Sequence, residues 1–222
     1  MKIIFQILTI TVLIISCDLI SIERYYTIAS ELEDQGRIEE AIIYHNKILK
    51  KDSTFRPSLI NRGADKSELG DYKGAILDYK KILEFDPNNV LALMNIGNNF
   101  ENLKDFESSI EYYSKVLDLD PMRSPIEIQG DFDEDYQYQI DKYEVLFERG
   151  TAYLLNGQYE KAITDLKELI KTGEMVGDAN FYIGESYLNM NDTINAKIYL
   201  IEARNIGMID AKELLNKIEN HN

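Results

Sequence analysis

The sequence predicts an all-α chain built from repeated helical hairpins, and three observations carry that reading. The stretch GDYKGAILDYKKILEFDPNN at 70–89 returns as KDFESSIEYYSKVLDLDPMR at 104–123, an offset of 34 residues. Small residues recur in phase with that offset, and glycine and proline fall between the apolar-periodic stretches. Repetition on this scale marks supersecondary units that stack, because a lone hairpin has no partner for its apolar face. Composition supports a folded chain: 45% of the residues are hydrophobic and 28% charged, too apolar for wholesale disorder.

Several function classes are excluded at this level. With 24 basic against 39 acidic side chains the net charge is −15, and a nucleic-acid binder needs the opposite footprint. One cysteine leaves no internal disulfide and no thiolate metal cluster, and two histidines, His45 and His221, offer little for metal or triad chemistry. No phosphate-cradling glycine loop, paired-histidine motif or nucleophile elbow occurs. A non-enzyme is expected, with no catalytic, cofactor-binding or metal-binding residue.

Residues 1–16 read as a targeting peptide. Lys2 supplies the positive start, and Ile3 to Ile15 form a nearly unbroken apolar stretch, too short for a span of about 20 residues. The stretch ends in Ile14-Ile15-Ser16-Cys17, which resembles the bacterial lipobox. That resemblance implies a diacylglycerol on the Cys17 thiol, cleavage before it, and fatty acylation (palmitate or similar) of the new amino terminus. Residues 17–21 would then be a lipidated tether. Asp18 to Glu23 reach only about 20 Å when extended, so the folded part stays close to a membrane of the bacterial cell envelope. In some bacteria an aspartate in the position of Asp18 retains lipoproteins at the inner membrane and in others it does not, so inner and outer membranes both remain open.

The repeats occupy 22–55, 56–89, 90–123, 143–176 and 177–210. Ala29, Gly63, Gly97, Gly150 and Gly184 hold one small site, and Ala41, Ala75, Ser109, Ala162 and Ala196 the other. Small side chains at both sites let paired helices approach to roughly 8–10 Å. Larger apolar residues fill the gaps: Ile38, Tyr72, Phe106 and Tyr159 in one row, Ile48, Ile82, Val116 and Leu169 in another. Gly36, Gly70 and Gly157 stand at the turns, where positive φ is favoured. Pro87 and Pro121 stop second helices, and Pro57 sits near the start of a first helix.

This pattern resembles the tetratricopeptide repeat (TPR), a helix–turn–helix unit of 34 residues. The resemblance implies a right-handed α-solenoid, with TPR units one to three over 22–123 and units four and five over 143–210. Arg62, Lys66, Lys104 and Asn180 depart from the usual residue types. Residues 211–222 read as a capping helix, its stripe of Ala211, Leu214, Leu215 and Ile218 covering the last unit.

The nineteen residues 124–142 interrupt the register and are rich in acids and tyrosines. Tyr136, Ile140, Tyr143 and Phe147 follow a helical rhythm, so the first helix of unit four is expected to begin near Glu134. The run Asp131-Phe132-Asp133-Glu134-Asp135 is not a calcium loop, because Tyr136 and Lys142 stand where glycine and glutamate are needed. A loop with a helix extension is the simplest reading; a protruding contact element is the other.

In TPR proteins the first helices line a concave face. Carrying the usual groove sites across brings Tyr26, Asn61, Met94, Asn95, Asn98, Phe147, Glu148, Phe181, Tyr182 and Glu185 to that face, alongside Glu33, Glu68, Leu91, Glu101, Asn102, Glu144 and Thr151. None of the groove sites is Lys or Arg, so the basic clamp by which some TPR domains hold a C-terminal carboxylate is missing. An acidic, aromatic trough suits a peptide or helix with basic and apolar groups. The expected role is a membrane-anchored interaction scaffold or assembly factor, by analogy with envelope TPR lipoproteins that assist secretin assembly or outer-membrane protein insertion. An envelope enzyme accessory or carbohydrate-handling lipoprotein that uses the acidic groove is the alternative.

Overall fold

A computed structural model of the protein describes residues 20–119, 126–127, 137–138 and 141–220. Cys17 and the apolar leader lie outside the described residues. Among the described residues no helix is long and apolar enough to cross a membrane.

The fold is all-α and of the helical-hairpin type the repeats predict. In chain order the hairpins are α1 (Ile22–Asp34) with α2 (Ile38–Lys51), α3 (Arg56–Glu68) with α4 (Tyr72–Phe85), and α5 (Val90–Asn102) with α6 (Phe106–Asp118). Then follow α7 (Lys142–Leu155) with α8 (Tyr159–Thr172), α9 (Val176–Asn189) with α10 (Thr193–Asn205), and a last helix α11 (Ile209–Asn220). The chain divides between Ile82 and Leu83 into two compact units.

Each hairpin turns by the same device. The amide of Arg37 reaches the Leu32 carbonyl at 2.9 Å, and Asp71 to Lys66, Asp105 to Phe100, Gln158 to Tyr153 and Asp192 to Tyr187 repeat this bond at 2.7–2.9 Å. Such a closure satisfies an orphan carbonyl at the end of the first helix and forces a left-handed residue just before the donor. Gly36, Gly70 and Gly157 supply it at φ of 69°, 81° and 73°, but Lys104 and Asn191 are held at 60°. A Cβ in that region costs about 1–2 kcal/mol, least for asparagine, whose short polar side chain tolerates it.

The small sites show why they are small. A Cβ on Gly63 would lie 2.7 Å from the Tyr79 ring, on Gly97 2.6 Å from Tyr113, and on Gly184 2.6 Å from Leu200. In the first hairpin the same register sets Ala29 against the smaller ring of His45, and both are fully buried. The row Ile48, Ile82, Val116 and Leu169 is likewise 0% exposed.

Two departures from the family pattern turn out to be paired. The Arg62 guanidinium binds both carboxylate oxygens of buried Asp78, and Lys66 Nζ lies 2.7 Å from Oδ2. At the same repeat positions Arg149 grips Asp165 at 2.8 and 3.0 Å and reaches Ser114 Oγ at 3.1 Å. The other hairpins carry Ile28 with Tyr44, Ile96 with Tyr112 and Ile183 with Tyr199 at these positions. Charge has replaced packing on both helices at once, which avoids leaving a buried ion without its partner. Asn180 is buried too, its amide donating to the Val176 carbonyl at 2.8 Å.

The interruption differs from expectation. Ile126–Glu127 and Gln137–Tyr138 pair as a short antiparallel ladder, and α7 begins at Lys142 with the Asp141 carboxylate accepting from the Tyr143 amide at 2.9 Å. The helix therefore does not extend back to Glu134. A capping aspartate with extended backbone ends the helix more strongly than the apolar rhythm before it continues it. At the other end α11 lays Ala211 and Leu215 on Leu200 and Ala203, with Leu214 and Ile218 beside them.

Lys104→Gly relieves the left-handed strain but loosens the unfolded chain, a net gain of about 0.5–1 kcal/mol. A raised thermal midpoint is the expected reading; a lowered one means that Lys104 makes a compensating contact.

Candidate functional site

In the first unit the groove residues Tyr26 on α1 and Asn61 on α3 meet. The Asn61 amide donates to the Tyr26 hydroxyl and to Glu33 Oε2, each at 3.4 Å. Tyr26 stands edge-on to Phe55 and to His45, with centroids 5.9 and 6.1 Å apart. Behind this surface His45 is fully buried, one ring nitrogen 2.7 Å from Glu33 Oε1 and the other 3.0 Å from Ser58 Oγ. Asp65 is 5% exposed, and its Oδ2 lies 4.0 Å from His45 Nε2 with no hydrogen-bond partner among the described residues. Burial, then the charges of Glu33 and Glu68, push its carboxyl up to about 7.

Sequence reasoning placed His45 in a packing row and overlooked Asp65. A weak signal was present: at the repeat position of Asp65 three repeats carry uncharged Asn99, Ala152 and Ser186, and the first carries Glu31, which is exposed where Asp65 is buried.

In the second unit α5, α7 and α9 present the other groove residues. An open depression of about 770 Å³ is lined by Asn98, Glu101, Asn102, Phe106, Tyr113 and Glu148, with Leu155 and, from the α5–α6 turn, Lys104. The Tyr113 hydroxyl reaches it from the core, 2.7 Å from Asn98 Oδ1 and 3.0 Å from Glu101 Oε2. Beside it Phe147 meets Tyr182 edge-on at 5.6 Å, and Phe181 meets Tyr182 at 5.2 Å. All three rings are half-buried.

Two assignments need correction or qualification. Met94 is buried among Val90, Leu93, Tyr113 and Val116, so it belongs to the core and not to the groove. The helix is apolar on more than one face here, since Val90 to Met94 are all buried. Asn95 stays half-buried but spends its amide on the Leu91 carbonyl at 2.9 Å.

The electrostatics of this face are one-sided. Burial, then Glu101 and Glu144, push the Glu148 carboxyl up to about 7. Burial likewise raises Glu101, against the hydrogen bond from Tyr113, and raises Glu185. The Tyr182 phenol is raised by burial, then by Glu185, Asp178, Glu148 and Asp210, which places it amid the acidic groups. Half-buried carboxylates that repel one another are better solvated by an incoming cation than by each other.

Tetratricopeptide-repeat family models match residues 22–53, 59–89 and 90–121, and a further one matches 144–172, together more than half of the chain. A crystal structure of a MamA protein is similar at a TM-score of 0.69 and 19% identity, covering 88% of this chain and 94% of that one. MamA from Desulfovibrio magneticus RS-1, from residue 41 to its end, gives 0.68 and 19% over 83% and 93%. YrrB, a TPR protein with an unusual peptide-binding site, gives 0.68 and 19% over 87% and 91%. At such identities the likeness is one of fold. No protein of curated function matches the chain.

A carboxyl raised in the folded state, as Glu148 is, holds more protons folded than unfolded between about pH 4.5 and 7. Its contribution to stability is full below that window and is lost as the pH rises through it. Glu148→Gln has no proton to lose, so its denaturant midpoint should fall less than the wild type's between pH 5 and 8. Parallel profiles for the two proteins would contradict this account.

Proposed function

This chain belongs to the tetratricopeptide-repeat family, and we propose that it is a non-catalytic docking protein held on a bacterial envelope membrane through acylated Cys17. Its second unit takes a partner segment, as peptide or helix, that carries basic and apolar side chains. One observation carries the docking reading: Glu148 sits half-buried among Glu101 and Glu144, beside the Phe147–Tyr182 pair, with no cation bound to it among the described residues. A lysine or arginine from a partner would bring the missing charge, and its methylene stem would lie along the aromatic rings.

Further support comes from the sequence and from the relatives. Groove sites without Lys or Arg leave nothing to hold a terminal carboxylate in the usual way. YrrB carries a peptide-binding site on a similar fold. For the membrane, the support is the apolar run of 3–15 and the position of the only cysteine at its end. Several acyl chains at about 0.8 kcal/mol per buried methylene hold a protein on a bilayer without a spanning helix.

Fluorescence anisotropy with labelled peptides tests the groove. A basic amphipathic peptide should bind, weaken as salt rises, and lose about tenfold in affinity with Glu148→Gln. Tight binding of a polyacidic peptide, indifferent to salt, would overturn the charge argument. The anchor is tested separately: Cys17→Ala should move the protein out of the membrane fraction of the host, and equal retention refutes lipidation.

A further inference from the structure

The first compact unit gathers three side chains apart from the Glu148 face, one of them the groove-site residue Glu33. Glu33 near the end of α1, His45 in α2 and Asp65 in α3 each present one ligand atom, and these atoms lie within 4.8 Å of one another. His45 is fully buried and Asp65 nearly so, while Glu33 keeps 22% of its side chain exposed. Asp65 aims Oδ2 at the imidazole from 4.0 Å, too far for a hydrogen bond, and no other partner meets that oxygen among the described residues. A carboxylate oxygen shut away from water and left unpaired is a costly arrangement, and it asks for something to occupy the gap.

We infer that Glu33, His45 and Asp65 form a binding site for one divalent transition-metal ion of the zinc class. A tetrahedral ion with ligands at about 2.0–2.1 Å spaces them about 3.3 Å apart. The present separations of 2.7 Å for Glu33 to His45 and 4.0 Å for His45 to Asp65 straddle that value. Opening the first and closing the second by about 0.6–0.7 Å brings both to that spacing, and the Glu33 and Asp65 oxygens already lie within 4.8 Å of each other. An imidazole with two carboxylates selects zinc, manganese or iron over magnesium and calcium, which prefer all-oxygen sites. The outer contacts are in place as well. Ser58 Oγ stands 3.0 Å from His45 Nδ1, placed to accept an N–H there in the tautomer that leaves the Nε2 lone pair for the metal.

On binding, His45 Nε2 gives up its contact with Glu33 and its lone pair goes to the metal. A neutral ring takes the tautomer with its one proton on Nδ1, facing Ser58, by exchange with solvent, and an imidazolium keeps the Nδ1 proton and releases the other to solvent. Tyr26 and Asn61 border the site on the Glu33 side, where the carboxylate keeps part of its surface exposed. The ion would tie α1, α2 and α3 together, joining the first hairpin to the next.

The test uses the full chain purified in detergent with His221→Ala, which leaves His45 as the single imidazole, stripped with EDTA and titrated with zinc chloride by calorimetry. One equivalent should bind with a dissociation constant of about 1 µM or tighter, and cobalt(II) should give visible ligand-field absorption. Asp65→Asn and Glu33→Gln should each weaken zinc by about tenfold or more, and Ser58→Ala by roughly as much. Glu202→Gln, an exposed carboxylate in the other compact unit, should leave the affinity unchanged. Should a variant not fold by circular dichroism, the ¹⁵N shift of His45 Nε2 on zinc addition in the parent protein decides instead. Absence of stoichiometric uptake, an unmoved His45 resonance, or uptake that the folded variants all retain would overturn the site. Peptide binding at Glu148 is a separate measurement, so the two readings fail independently.

Discussion

The contact on which the rest depends is the meeting of a small residue on each first helix with a large one on its second. Gly63 takes the Tyr79 ring, Gly97 takes Tyr113, Gly150 takes Leu166 and Gly184 takes Leu200. At the glycines of these crossings even one methyl group would collide or crowd, so helix spacing and knob size are fixed together. The knob also decides what reaches the first-helix surface. Where it is leucine, nothing polar arrives. Where it is Tyr113 or His45, a hydroxyl or a ring nitrogen meets a carboxylate of the first helix, Glu101 or Glu33. A packing requirement thus delivers the chemistry of the Glu148 face and of the histidine cluster alike.

Departures from the repeat pattern obey the same logic of matched pairs. Arg62 with Asp78 and Arg149 with Asp165 occupy one pair of positions, where other hairpins carry isoleucine with tyrosine. Either solution fills the space between helices, but a mixture would bury a lone charge or leave a gap. Lys104 is of a different kind, because its backbone conformation is set by the turn and its side chain has no say. Its strain is tolerated since the turn also satisfies the helix-end carbonyls.

Acidity on the Glu148 face has a structural cost, one that the proposed docking would relieve. Glu101, Glu148 and Glu185 are all raised by burial, and the described part of the face offers them little positive charge. Stability alone would favour neutral residues at such positions, as Leu154 and Leu188 show where two other units carry leucine at the repeat position of Glu101. Carboxylates kept there make the empty face less comfortable than the filled one.

The period of 34 residues, the small sites and the turn glycines determined the hairpins, their order and their register before any coordinates. Periodic features repeat a local constraint many times, and so they survive the ambiguity of any one residue. The Glu148 neighbourhood was legible for the same reason, since family positions carry over by counting. What counting does not give is which face of an apolar helix wins. Met94 went inward because α5 is covered on several sides, which depends on neighbours distant in sequence. The start of α7 was decided by the Asp141 cap against a longer apolar rhythm. Above all, the meeting of Glu33, His45 and Asp65 draws one residue from each of three helices, and only tertiary packing brings such groups within reach of a single ion.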